Sequence, residues 1–248
     1  MFKTVKYLNI VLALIFLTLV LSSAQAQQAQ EKGAKMDNKE ITVRWLGHSC
    51  FMISDSVKIV TDPFDKRVGY PVPDVSADIV LVSHEHSDHN NVSAIKGKPE
   101  VIRGATSRTV KGIDFRFLKT SHGDGRGENY IRLWELEGMR FAHFGDLGVD
   151  LTDSQYQEIG SVDVVFIPVG GYYTIDAEQA TKIIQKLNPR VVFPMHYKTE
   201  AVGSGFPISG IVPFIKGKKN VNKVGKNSMS LKKDSLPKEL TIFLLKYE

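Results

Sequence analysis

The sequence predicts an α/β fold in which strands dominate the first half and helices alternate with strands in the second. Three observations predict it. Short β-branched or aromatic segments separated by turn residues recur between 41 and 60, as in a strand meander. The continuous apolar run 79–82 reads as a strand covered on both faces. Helical patterns at 152–159 and 177–187 alternate with apolar strands only in the later part of the chain.

The chain has 248 residues, 42% hydrophobic, 24% charged and 9% aromatic, a composition that excludes disordered, collagenous and coiled-coil classes. Residues 1–26 run from a basic head (Lys3, Lys6) through an apolar stretch at 10–21 to Ser22-Ser23-Ala24-Gln25-Ala26, the order of a secretory signal peptide cleaved after Ala26. Twelve apolar residues fall short of the roughly 20 needed to span a bilayer, so no stable membrane anchor is expected. The expected location is periplasmic or secreted. Residues 27–39 are a polar, flexible lead-in. The fold then occupies 40–248, with no linker or repeat to divide it.

Strands are expected at 41–46, 50–53, 57–60, 79–82, 100–102, 114–120, 130–136, 139–144, 164–167, 191–193 and 241–245. Glu137-Gly138 marks a hairpin. Thr152 and Asp176 cap the two helices, and Asn188-Pro189 stops the second.

Removing 1–26 takes away two lysines and no acids, leaving 30 Lys+Arg against 27 Asp+Glu, a net of +3. That balance is too mild for nucleic acid binding. The positive charge is uneven, with eight lysines between 216 and 239 against Asp234 and Glu239; a solvated surface tail explains it, and attraction of an anionic small-molecule substrate is the minority reading. Cys50 is the only cysteine, so any metal must be held by histidine and carboxylate.

The decisive segment is Ser83-His84-Glu85-His86-Ser87-Asp88-His89, which follows directly on the apolar run ending at Val82. On an extended chain His84 and His86 point to one side, and a turn then brings Asp88 and His89 beside them. Four potential ligands within six residues are enough for more than one ion, and imidazole with carboxylate suits zinc, iron or manganese. Only seven histidines occur in the chain, so a chance cluster of three is rare.

His-x-His-x-Asp-His after a buried strand resembles the signature of the metallo-β-lactamase superfamily, and later stations of that pattern follow in order. Leu118 to Gly123 supplies His122, Phe141 to Asp146 ends in Gly145-Asp146, and Val191 to Tyr197 supplies His196. Trp45-Leu46-Gly47-His48-Ser49-Cys50-Phe51 and the stretch from Pro168 to Ala177 are similar to the branch that includes ascorbate-6-phosphate lactonase-like proteins.

The resemblance implies an αβ/βα four-layer sandwich, two mixed sheets flanked by helices, and makes 40–248 a metallo-β-lactamase-like hydrolase domain. It implies two divalent metal ions, zinc foremost with manganese or iron possible. His84, His86 and His122 would bind the first, and Asp88, His89 and His196 the second. Asp146 would bridge them, with Asp88 and Asp146 as the catalytic carboxylates. The implied activity is hydrolysis of a small ester, lactone or phosphoester by a hydroxide shared between two metals. The alternatives are a β-lactamase and a non-catalytic metal-binding protein that keeps the fold.

Other residues carry weaker signals. His48 reads equally as an auxiliary ligand or a structural turn residue. His143 reads as a core residue or a neighbour of a ligand rather than a ligand. Asp62 either hydrogen-bonds a ligand histidine, fixing its tautomer, or caps a turn. Glu85 points away from its neighbours and is excluded, Cys50 is a buried small hydrophobe, and Tyr172, Tyr173 and Tyr197 either line the pocket or pack.

Overall fold

A computed structural model describes residues 39–203 and 205–247. The leader at 1–26 and all but the last residue of the lead-in lie outside the described residues. Three antiparallel strands open the fold: β1 (Ile41–Gly47), β2 (Cys50–Ser54) and β3 (Lys58–Thr61). Their register sets Val43 against Ile53 and Met52 against Val60. The chain then crosses to β4 (Ile79–Leu81) and β5 (Glu100–Ile102), each parallel to its predecessor.

The continuous apolar run has the expected cause. Ile79 and Leu81 face the core between the sheets, whereas Val80 and Val82 join Cys50, Val60 and Phe64 in a second cluster on the outer face. That outer face is covered by loops and by 3-10 turns at Lys66–Val68 and Val92–Ala94.

The second sheet begins with the antiparallel strands β6 (Arg108–Val110), β7 (Ile113–Ser121), β8 (Glu128–Leu136) and β9 (Met139–His143). Glu137 and Gly138 both take positive φ, 47° and 70°, as the two-residue hairpin turn between β8 and β9 requires.

Helix–strand alternation follows, through α1 (Asp153–Ile159), β10 (Val164–Pro168), α2 (Ala177–Leu187), β11 (Val191–Met195) and the single turn α3 (Val212–Ile215). Thr152 with Gln155 and Asp176 with Gln179 form reciprocal capping boxes that satisfy the first N–H groups of α1 and α2. Ala180, Ile183 and Ile184 put one face of α2 on the core, each isoleucine contributing roughly 1.5–3 kcal/mol. Among the described residues no helix is long and apolar enough to cross a membrane.

The last strands are β12 (Val221–Lys223), β13 (Ser228–Leu231) and β14 (Thr241–Leu244). The two mixed sheets run β13-β1-β2-β3-β4-β5 and β12-β14-β11-β10-β9-β8-β7-β6, the layered α/β sandwich that the sequence predicts. Phe51 of the first sheet meets Phe166 of the second at 4.5 Å, and Phe166 stacks on Phe193 at 5.3 Å.

The lysine-rich segment differs from expectation. It is no tail, because β12 and β13 place it at an edge of each sheet. Edge strands need only main-chain pairing on one side, so short polar segments suffice and leave little hydrophobic pattern. Lys233 pairs with Asp163 at 2.8 Å, beside the start of β10.

Candidate metal centre

Strands of both sheets deliver polar residues to one rim. Asp62 follows β3, residues 84–89 follow β4, His122 follows β7, Asp146 follows β9, His196 follows β11, and His48 lies in the β1–β2 turn. Three of these residues turn the chain through positive φ: His48 at 50°, Asp62 at 39° and His196 at 51°. For residues with a side chain that conformation costs roughly 1–2 kcal/mol, which the surrounding packing must sustain.

All seven sequence-predicted ligands converge there, in two sets. One ligand atom from each of His84, His86 and His122 lies within 4.8 Å of the others, and the same holds for His48, Asp88, His89 and His196. Asp146 stands between the sets. Its Oδ2 is 3.2 Å from His122 Nε2, 3.3 Å from His196 Nε2 and 3.8 Å from His84 Nε2, while Oδ1 is 3.2 Å from His89 Nε2. The chain bends through 83–86 instead of staying extended, and His89 N–H closes the turn on His86 O at 2.9 Å. His84 and His86 still meet, with ring centroids 4.7 Å apart.

Hydrogen bonds behind the candidate ligands select their tautomers. Asp62 Oδ2 accepts from Ser83 Oγ at 2.6 Å and from His89 Nδ1 at 2.9 Å. Having given its one proton to a carboxylate, the Ser83 hydroxyl accepts from His84 Nδ1–H at 2.9 Å. Nε2 of both histidines is left as a bare lone pair directed into the site. Of its two sequence readings, Asp62 therefore takes the first.

Three further residues hold the scaffold. Asn129 Oδ1 accepts the Asp146 N–H at 2.9 Å, while its Nδ2 donates to Phe144 O. Fully buried Arg132 donates through Nε and a terminal nitrogen to Val82 O, tying the second sheet to the end of β4. His143 Nε2–H donates to Ser49 O at 2.9 Å and its Nδ1 accepts the Gly145 N–H at 3.3 Å, so neither nitrogen is free to ligate. Asn129 and Arg132 escaped sequence reasoning; the only signal was a polar and a charged residue within an otherwise apolar strand.

Electrostatics favour ligand states at His84, His48 and Asp146. Burial pushes His84 down to about 3 and His48 down to about 4, keeping both rings neutral. Burial opposes ionisation of Asp146, yet His196 and His89 hold its carboxyl well below the usual range. His89 runs the other way: Asp146 and Asp88 together outweigh burial and raise it, so a cation bound at its Nε2 would have to displace the proton those carboxylates attract.

Metal fit rests on orphaned atoms. Both nitrogens of His48, Nε2 of His84 and His89, and Oδ1 of Asp146 are buried without a hydrogen-bond partner, and Nε2 of His122 and of His196 faces Asp146. Buried polar atoms need a partner. Five imidazoles and a carboxylate around one space fit divalent cations.

A cleft of about 360 Å³ opens beside His84 and His86, lined also by Arg126, Glu128 and Tyr130. Arg126 donates to Tyr172 O at 3.1 Å and lies over the Tyr173 ring at 5.5 Å. Tyr172 is exposed, whereas Tyr197 is buried and stacked on Trp45, so it packs and does not line the opening. Glu85 also lines this cleft but pairs with Arg103 and Asn90 instead of joining the histidines, and Cys50 is buried.

Comparison with known proteins agrees with this arrangement. A profile of the beta-lactamase superfamily domain matches residues 42–196. A UPF0173 metal-dependent hydrolase of Thermococcus kodakarensis is 30% identical over 193 residues, covering 64% of this chain and 85% of that protein. A metallo-beta-lactamase superfamily structure from Thermotoga maritima superposes with a TM-score of 0.72 at 36% identity, over 84% of this chain and all of that one. Igni18, a metallo hydrolase from Ignicoccus hospitalis, shares the fold at a TM-score of 0.52 and 20% identity, over 67% of this chain and 87% of its own. With the histidine sets at the strand ends, these matches identify the chain as a member of the metallo-β-lactamase superfamily, a metal-dependent hydrolase.

Proposed function

We propose that the protein is an exported hydrolase that holds two divalent cations, zinc foremost, and cleaves a small anionic ester, lactone or phosphoester. One observation carries this reading. Asp146 reaches the first set through His84 and His122 and the second through His89 and His196, so a single buried carboxylate serves both. Cations bound there lower the pKa of water toward neutrality and polarise the oxygen of the scissile group.

The chain's own residues supply the rest. His84, His86 and His122 hold one position, Asp88, His89 and His196 the other, and Asp146 joins them. Asp62 and Ser83 keep protons on the Nδ1 atoms of His89 and His84, which presents Nε2 to the centre. Asp88, with its side chain 27% exposed, is the more accessible of the two carboxylates, and the oxygen it does not give to its cation would accept a hydrogen bond from water. Arg126, in the cleft beside His84 and His86, orients an anionic group. The basic-apolar leader at 1–26 supports export.

The test is a hydrolysis panel of lactones, esters, phosphodiesters and β-lactams run on protein of measured metal content. Two equivalents per chain and faster turnover of an anionic ester or lactone than of a β-lactam are expected. Metal that never exceeds one equivalent at saturation overturns the two-cation reading, and preferential β-lactam cleavage overturns the substrate class. Mass analysis of the exported form should place its amino terminus at Gln27.

A further inference from the structure

We infer that His48 is a fourth side-chain ligand of the cation position formed by Asp88, His89 and His196, which makes that position the closed one and leaves the open one at His84, His86 and His122. This rests on the two-cation reading above, and the geometry of His48 extends it. The residue comes from the β1–β2 turn, far in sequence from the other ligands, and its side chain is 1% exposed. Its ring centroid lies 4.2 Å from that of His196 and 5.0 Å from that of His89.

A purely structural role leaves the side chain unexplained. The turn is served by the main chain, because His48 O accepts the Trp45 indole N–H at 3.0 Å and the His196 N–H at 3.4 Å. Its φ of 50° is a conformation that glycine or asparagine adopts more readily. Both ring nitrogens are nevertheless buried without a hydrogen-bond partner. Nε2 lies 3.5 Å from Asp88 Oδ2, too long for the charge-assisted hydrogen bond such a pair would form. Neighbouring ligands of one four- or five-coordinate zinc ion stand about 2.9–3.6 Å apart. His89 Nε2 stands 3.7 Å from the same oxygen, so His48 and His89 flank Asp88 in like manner.

The two positions then differ in kind. The closed one has three buried imidazoles, the Asp88 carboxylate and a share of Asp146. The open one has three imidazoles and the other share of Asp146, and exposed His86 borders the cleft that contains Arg126. Tighter binding belongs to the closed position, and substrate engages the open one.

The test uses the unmodified protein titrated with zinc and observed by long-range 15N–1H correlation of the histidine rings. Seven histidines are present, and His143, with both nitrogens occupied by main-chain groups, is the internal unbound reference. At two equivalents six rings should show a metal-bound nitrogen, and His48 should change with the first equivalent. A His48 ring that keeps free-imidazole shifts while the other five are bound overturns the inference and leaves the two-cation reading standing. If none of the rings binds zinc, both readings are overturned. His48→Asn, which suits the left-handed turn, should weaken the tighter zinc affinity at least ~10-fold while the weaker one changes less than about threefold. Unchanged stepwise affinities in that variant also overturn it.

Discussion

The two histidine sets share Asp146 but are built differently. His48, His89 and His196 are sealed at 1% exposure or less, and Asp62 fixes the His89 ring from behind. The first set has buried His84 and His122, but His86 is exposed beside the cleft, without a hydrogen bond to its ring among those described. One half is thus positioned by the core of the sandwich and the other by a turn at its rim. Rigid support favours retention of a cation, and an accessible ligand next to a cleft favours exchange with substrate.

The largest expected effect erases that difference. Asp146→Asn replaces the shared carboxylate by one oxygen and a donor, so both positions should lose metal, with affinity falling by ~100-fold or more. His143→Gln should leave metal content unchanged and cost about 1–3 kcal/mol of stability from lost main-chain hydrogen bonds. Elemental analysis with thermal unfolding separates the two. Equal metal loss in both variants would contradict the ligand assignment.

Asp62→Asn should come next, with metal affinity down by ~10–100-fold, mainly in the sealed set. An amide in place of Oδ2 donates to His89 Nδ1, which drives the ring proton to Nε2 and removes the lone pair. The effect also passes to His84 through Ser83 but is diluted there. Calorimetric titration with zinc reads this directly, and an unaltered tighter affinity would count against the bracing role.

A sharper instrument lies in two glycines. A Cβ on Gly148 would overlap the carbonyl of His122, and one on Gly170 would overlap the carbonyl of His196. Gly148→Ala should therefore displace a ligand of the open set and Gly170→Ala one of the sealed set, each weakening its own position by ~10-fold. Stepwise zinc titration should assign the losses to different equivalents. Identical profiles would mean that the two sets do not respond as separate halves.

Much of this was open to sequence reasoning for a physical reason. His84, Asp88, His122, Asp146 and His196 are polar residues placed directly after apolar strands, and a strand end at one rim of a layered sheet is where a side chain can leave the core and meet others. Thr152 and Asp176 announced their helices because capping is local chemistry. Pairings between distant residues were not readable. Arg132 meets Val82 across 50 residues, and Asn129 meets Asp146 only once β7, β8 and β9 are in register. His48 stayed ambiguous because its neighbours come from two other loops, and β13 was hidden because Ser228–Leu231 pairs with β1 largely through main-chain groups.

The smallest expected effect concerns the cleft beside the open set. Arg126 spends a donor on Tyr172 O and pairs with Asp124 at 3.1 Å, while Glu85 and Glu128 also border the cleft, so its pull on an anion is moderate. A charged hydrogen bond to substrate would contribute about 1.5 kcal/mol, hence Arg126→Ala should raise KM roughly 10-fold for an anionic ester and leave kcat within about twofold. Lys233, held by Asp163 at the start of β10, lies at the opposite end of that strand from the histidines. The salt dependence of kcat/KM should then belong to Arg126, since exposed charges are screened over about 10 Å at 0.1 M. The parent protein should lose efficiency as salt is added, and the variant should be nearly insensitive to it. A variant with unchanged KM and the parent's salt response would remove Arg126 from substrate recognition and return the attraction to the lysine-rich edge.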